Sequence, residues 1–223
     1  MYRRHFILAL GATALARVSS ANAANPATPK PKNSKPLTLL VLGDSLSAEY
    51  GLKRGSGWVA LLDNKLKNDR INGLNVVVVN ASISGDTTSG GRSRLPALLA
   101  QHHPTHLIIE LGANDALRGL PLESTRDNLN NMAQTAQSAG AKVLLIGMQV
   151  PPNYGQQYST RFAAVFATVA KANKTALVPF LLKDVADAPD SLRLFQADRI
   201  HPREEAHPTL LANVWPELQK ILK

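Results

Sequence analysis

Five short apolar runs, separated by longer amphipathic stretches, restrict the fold of this chain more than any other feature. The runs are Leu37–Leu42, Leu74–Val79, His106–Leu111, Val143–Met148 and Ala176–Pro179. Each is nearly continuous rather than alternating, as in parallel strands covered on both faces. Between them, Trp58, Leu61, Leu62 and Leu66 recur at helical spacing, as do Leu95, Leu98 and Leu99. Further helices are predicted over Leu122–Ala139, Tyr158–Asn173 and Arg203–Leu222. This alternation predicts an α/β fold: a three-layer α/β/α sandwich around a mostly parallel five-stranded sheet. The chain shows no internal repeat and no sign of a second domain.

The strand pattern starts only at Leu37, and what precedes it has a different character. Tyr2-Arg3-Arg4-His5 is a basic start, Phe6 to Ala16 is a short apolar stretch, and Ala21-Asn22-Ala23 offers a small-residue cleavage site. That arrangement predicts a signal peptide over residues 1–23 and export to the periplasm or exterior. The Arg3-Arg4 pair fits a twin-arginine signal as well as the general route. The stretch is too short, and too rich in Gly, Ala and Thr, for a stable membrane anchor. Residues 24–36 form the expected linker, since Asn25 to Pro36 holds four prolines, three lysines and no acid.

Leader and linker also account for most of the charge. They carry six basic residues and no acid, and without them the 25 basic residues fall to 19 against 16 acids. A near-neutral domain without aromatic and basic residues interleaved gives no support to nucleic-acid binding. The chain has no cysteine, which excludes disulfides, thiolate metal sites and a cysteine nucleophile. It also lacks zinc-type spacings and a phosphate loop, so neither a metal nor a cofactor is expected.

In open α/β sheets, chemistry gathers in the crevice beyond the carboxyl ends of the strands. The first run stops abruptly at Gly43-Asp44-Ser45. After the second comes Asn80-Ala81-Ser82-Ile83-Ser84-Gly85-Asp86-Thr87, and after the third Gly112-Ala113-Asn114-Asp115. Asp198-Arg199-Ile200-His201-Pro202 precedes the last helix. Acyl transfer needs a nucleophile, a base for its proton, an acid to orient that base, and donors for an oxyanion. These four loops supply candidates for every role.

Gly43-Asp44-Ser45-Leu46-Ser47, Gly85, Gly112-x-Asn114-Asp115 and Asp198-x-x-His201-Pro202 together resemble the four blocks of the SGNH (GDSL) hydrolases, in order and over the whole chain from Leu37. The stretches Val79–Thr87, Arg94–Ala100, Glu110–Asp115 and Pro151–Gly155 resemble the bacterial thioesterase/lysophospholipase/arylesterase branch. The resemblance implies Ser45 as nucleophile, His201 as general base and then acid, and Asp198 as the group orienting the imidazole. It implies an oxyanion hole made by the backbone N–H groups of Ser45 and Gly85 and the Asn114 amide. Residue chemistry agrees: an imidazole, titrating near pH ~6.5 in general, can accept a serine proton at neutral pH. Glycine at position 85 lets the backbone approach a reacting carbonyl, and Asn114 donates without charge.

The implied function is an exported serine esterase acting on carboxylic esters and thioesters, with lysophospholipids among the expected substrates, as a monomer without stable membrane insertion. Two alternatives are a carbohydrate deacetylase of the same fold and a catalytically silent lipid- or glycan-binding protein. Asp44 and Asp115 read as loop-fixing acids, His102, His103 and His106 as structural or exposed, and Trp58 and Trp215 as packing. For the substrate, Ile83, Leu95, Gln149 and Pro152 are the expected contacts. Gln149 stands where many relatives carry an arginine, so a preference for neutral esters is expected. The glycine-bearing stretch Thr87–Ser93 is expected to be a mobile loop able to close over an acyl chain.

Overall fold

Strand β1 (Leu37–Gly43) lies inside a five-stranded sheet of order β2-β1-β3-β4-β5, with β2 at Val76–Asn80, β3 at His106–Glu110, β4 at Lys142–Ile146 and β5 at Ala176–Val178. All four pairings are parallel. The computed structural model describes Met1 and residues 36–69 and 74–223, so the expected signal peptide and nearly all of the linker lie outside the described residues. Each strand overlaps a run read from sequence, its ends differing from the run's by no more than two residues. Every residue of β3 is buried, as continuous apolar runs demand.

Helices α1 (Trp58–Asp69) and α6 (His207–Ile221) pack together over one part of the sheet. The others form a row in which α2 (Thr88–His102) meets α4 (Leu122–Ser138), and α4 meets α5 (Gln156–Asn173). A five-residue helix, α3 (Ala113–Leu117), follows β3 directly. Trp58, Leu39, Leu107, Phe162 and Phe166 are fully buried between these layers. Burying each such side chain contributes about 1.5–3 kcal/mol. Trp58 thus packs as expected, and its backbone N–H donates to buried His207 Nδ1 at 3.0 Å, joining the starts of α1 and α6. His106 is structural: its Nε2 lies 2.9 Å from the Ile221 carbonyl oxygen, fastening the end of α6 to β3.

Two expectations need correction. The last helix begins at His207 rather than Arg203, because Glu204–Ala206 is a tighter 3-10 turn. Thr88–Ser93 is not a loop but the opening of α2, capped by the Thr87 hydroxyl, which accepts the Gly90 N–H at 3.3 Å. The glycines there serve packing: a Cβ on buried Gly91 would stand 2.3 Å from Leu111 Cδ1. The helix lies against the loop after β3, and the small residue permits that approach.

The chain order places the crevice. From β1 the chain moves to β2 on one side, then returns to β3 on the other. The carboxyl ends of β1 and β3 therefore flank the point where strand order reverses.

Candidate active site

Ser45 stands just beyond β1 on a turn wound around Asp44. The Asp44 carbonyl accepts the N–H groups of Ser47 and Ala48, and its side-chain Oδ1 accepts the Leu46 N–H at 3.0 Å. With Asp44 facing inward and buried, half-buried Ser45 faces the crevice. Its Oγ lies 2.8 Å from His201 Nε2, and His201 Nδ1 lies 2.7 Å from Asp198 Oδ2. Ser45 is 156 residues from His201 in the chain, so tertiary folding alone makes this pair.

Asp198 holds its own loop as well as the imidazole. Its Oδ1 accepts the N–H groups of Ile200 and His201, each at 3.0 Å. Desolvation works to raise its pKa, but the hydrogen bonds from the His201 ring and from these two N–H groups outweigh it and hold the carboxyl down at about 2. Asp198 is therefore a carboxylate at any working pH, fixing a proton on Nδ1 and leaving Nε2 to face the serine hydroxyl.

Of the donors expected for an oxyanion, Asn114 lines the same cavity as Ser45. Among the described residues, neither the Ser45 nor the Gly85 N–H donates to another protein group. Asn114, in the first turn of α3, donates its side-chain Nδ2 to Asp44 Oδ2 and to the Asp86 carbonyl, each at 3.0 Å. The amide is thus held from both sides at the crevice wall. Arg118 Nη2 donates to the Gly85 carbonyl at 2.8 Å, and Asp115 receives the Thr88 N–H at 2.9 Å. These contacts join the loops after β2 and β3, and Asp115 has the loop-fixing role expected of it.

One participant went unread in the sequence. Glu110, fully buried at the end of β3, stands in register with Gly43. Its Oε2 accepts the Ser47 hydroxyl at 2.7 Å and the Asp44 N–H at 3.3 Å, while Oε1 is buried with no partner among the described residues. Burial, then the nearby Asp44 charge, pushes Glu110 well above the usual carboxyl range. Burial also raises Asp44 to about 6, with Asp86 adding to the effect and the Leu46, His201 and Asn114 contacts opposing it. Two adjoining buried carboxyls resist ionising together. The visible signal was a lone glutamate ending an apolar strand.

Ser45 and His201 line a cavity of about 660 Å³. Gln149 lines it, as expected, but Ile83 and Leu95 do not. Ile83 is exposed on the loop after β2, and Leu95 is buried in the core on α2. The side chain of Pro152 lies outside the described residues. The apolar wall comes instead from Met148 and from Phe180, Leu182, Leu192 and Phe195 on the loop between β5 and α6, with Arg199 as a cation beside it. That loop has no helical or strand period, so nothing in the sequence marked it as a wall.

Residues 41–208 match the GDSL-like Lipase/Acylhydrolase family. The chain belongs to that family. It is 52% identical over 185 residues to the esterase TesA of Pseudomonas aeruginosa, which spans 83% of this chain and 89% of that protein. The crystal structure of TesA superposes with a TM-score of 0.78, covering 82% of this chain and 99% of the other. Identity is 40% over 185 residues to the thioesterase 1/protease 1/lysophospholipase L1 of Escherichia coli K12, covering 83% and 85% of the two chains. A psychrotrophic esterase, EstA, from Pseudoalteromonas sp., solved inhibited by monoethylphosphonate, has a TM-score of 0.75 at 40% identity, covering 83% and 98%. Membership makes this GDSL-family chain an enzyme, a hydrolase on the sandwich fold expected from its strand pattern.

Proposed function

We propose that the protein is an exported serine esterase that cleaves carboxylic esters and thioesters through an acyl-enzyme intermediate. The observation that carries the reading is the relay from Asp198 through His201 to Ser45, with contacts of 2.7 and 2.8 Å. Ser45 Oγ attacks the ester carbonyl as its proton passes to His201 Nε2. The oxyanion takes hydrogen bonds from the Ser45 and Gly85 N–H groups and from Asn114. The imidazolium returns the proton to the leaving alcohol or thiol, leaving the acyl group on Ser45. Water then repeats the sequence from the other side, releasing the acid and restoring the serine hydroxyl.

Esterase, thioesterase and lysophospholipase are the activities named for the similar proteins, and they support this substrate class. The apolar wall favours discrimination by the acyl tail, while Gln149 offers neutral hydrogen bonds. Arg199 gives a phosphate-bearing lipid ester one cation to meet, in keeping with lysophospholipids as substrates. Export rests on the basic, apolar and small-residue pattern of residues 1–23.

A fluorophosphonate probe tests the chemistry directly. The wild type should be labelled and the Ser45→Ala variant should not; equal labelling of both would overturn the assignment. A series of p-nitrophenyl esters should give kcat/KM rising over several carbons. Rates greatest for acetyl and falling with each added carbon would favour a carbohydrate deacetylase.

A further inference from the structure

The Ser45–His201 contact joins two loops, residues 44–57 after β1 and residues 194–206 before α6. Among the described residues, one other hydrogen bond crosses between them. Gln196 Nε2 donates to the carbonyl of Tyr50 at 2.9 Å, and the same nitrogen reaches the Pro202 carbonyl at 3.2 Å. The Gln196 backbone N–H meanwhile donates to the His201 carbonyl at 2.8 Å. A single residue thus grips the peptide that carries the imidazole and the loop that carries the nucleophile.

The surroundings leave Gln196 little freedom. Phe195 and Pro202 form an antiparallel bridge, closing residues 196–201 into a tight loop, and Arg203 Nε donates to the Phe195 carbonyl at 2.7 Å. Gly51 lies against the amide at a φ of +69°, and a Cβ there would stand 2.1 Å from Gln196 Oε1. Tyr50, whose carbonyl Gln196 holds, places its ring 4.4 Å from the His201 ring, and its N–H returns to the Ser45 carbonyl at 3.3 Å. The amide therefore fixes both the covering ring and the turn that begins at the nucleophile.

We infer that Gln196 is a positioning residue that sets the Ser45–His201 contact by tying the base loop to the Tyr50 carbonyl. This rests on the proposed serine-esterase chemistry. Asp198 orients the imidazole within its own loop, and nothing in that loop alone fixes the distance to a serine on another. Misplacement by about 1 Å costs on the order of a hundredfold in rate. The effect should fall on bond-making rather than binding, because Gln196 does not line the cavity.

The test compares Gln196→Ala, the near-isosteric Gln196→Met, and Gln196→Glu, which keeps the shape but replaces the N–H donor with oxygen. For each variant, kcat, KM, the second-order rate of fluorophosphonate labelling and the thermal midpoint are measured. All three should lose roughly ten- to a hundredfold in kcat and in labelling rate, in parallel, with KM within about threefold. A folded Gln196→Met or Gln196→Glu variant carries the test if Gln196→Ala does not fold. A lower thermal midpoint with wild-type kcat and labelling would overturn the inference in favour of a merely stabilising contact. Wild-type rates in Gln196→Glu would also overturn it, because the donor would then be dispensable. A rise in KM with kcat retained would reassign Gln196 to substrate binding. These failures differ from failure of the esterase reading, in which the wild type itself would resist labelling.

Discussion

Asn114 donates its amide to the carboxylate of Asp44 at 3.0 Å, so the residue preceding the nucleophile aims the side chain expected to meet the oxyanion. The Asp86 carbonyl holds the same nitrogen from the other side. Charge building on a substrate oxygen competes with these two acceptors, and the amide is already in place when it does. Asn114→Ala should lower kcat by about 10²–10³, the usual loss for one such donor, with little change in KM. Asp44→Asn should cost less, because the Asp86 carbonyl still holds Asn114. The hydrogen bond lost is one to a charged group, about 1.5–3 kcal/mol, which sets a ceiling of roughly ten- to 150-fold. Steady-state kinetics on one p-nitrophenyl ester decide it, and a larger loss in Asp44→Asn than in Asn114→Ala would refute the ranking.

Ser45→Ala should leave a folded protein with esterase activity near background. The hydroxyl faces the cavity and, among the described residues, bonds to His201 alone, so its loss opens no core void. Asp198→Ala should be damaging but less so, because Asp198 orients the base rather than forming a bond. Circular dichroism establishes folding. Retention of a tenth of the wild-type rate by Ser45→Ala would mean that the nucleophile lies elsewhere.

The buried carboxyls after β1 and β3 give stability a pH dependence of definite sign. Glu110 and Asp44 both have folded-state pKa values above their ordinary ones, Asp44 at about 6. Their contribution is therefore complete below the unfolded values, near ~4, and is lost as pH rises through about 6 and beyond. Asp198, held down at about 2, acts in the opposite direction, contributing above the ordinary value of 3.8 and losing that only as pH falls toward 2. The thermal midpoint should therefore decline from pH 5 to pH 8. Glu110→Gln, which keeps an oxygen for the Ser47 hydroxyl and removes the ionisation, should make that decline shallower. An unchanged slope in Glu110→Gln would show that the carboxyl pair is not its source.

The strands and the four loop blocks were legible in the sequence for a physical reason. Parallel strands buried on both faces must be apolar throughout, and a nucleophile needs an abrupt polar end to such a run. Ser45, Gly85, Asn114, Asp198 and His201 were singled out by the family resemblance of those blocks, and the structure joins Asp198, His201 and Ser45 in one relay with Asn114 lining the same cavity. What could not be read depends on packing alone. Gly90 and Gly91 look like a loop until Asp86 is seen to leave no room for a Cβ on the first and Leu111 none on the second. Leu95 looks like a pocket residue until α2 turns it into the core. Glu110 looks like a strand end until Ser47 and the Asp44 N–H close around it. The loop between β5 and α6 builds its wall from irregular backbone and short 3-10 turns, which carry no period.

That wall yields the sharpest test of how the cavity selects substrates. Ala186 lines the cavity on the same loop as Leu182 and Leu192, and its methyl group leaves space that a larger side chain would fill. Each acyl methylene that finds room there should add up to ~0.8 kcal/mol of apolar burial, so wild-type kcat/KM should climb with chain length until the cavity is full. Ala186 is exposed, so Ala186→Phe should be accommodated without disturbing the core. The variant should keep near wild-type rates on acetyl and propionyl esters and lose activity progressively on longer ones, moving the optimum to shorter chains. Fluorophosphonate labelling should be unchanged, because Ser45 and His201 are untouched. An equal loss on every ester would mean that the substitution had disturbed the catalytic loop. An unchanged chain-length profile would place the acyl tail along another part of the crevice.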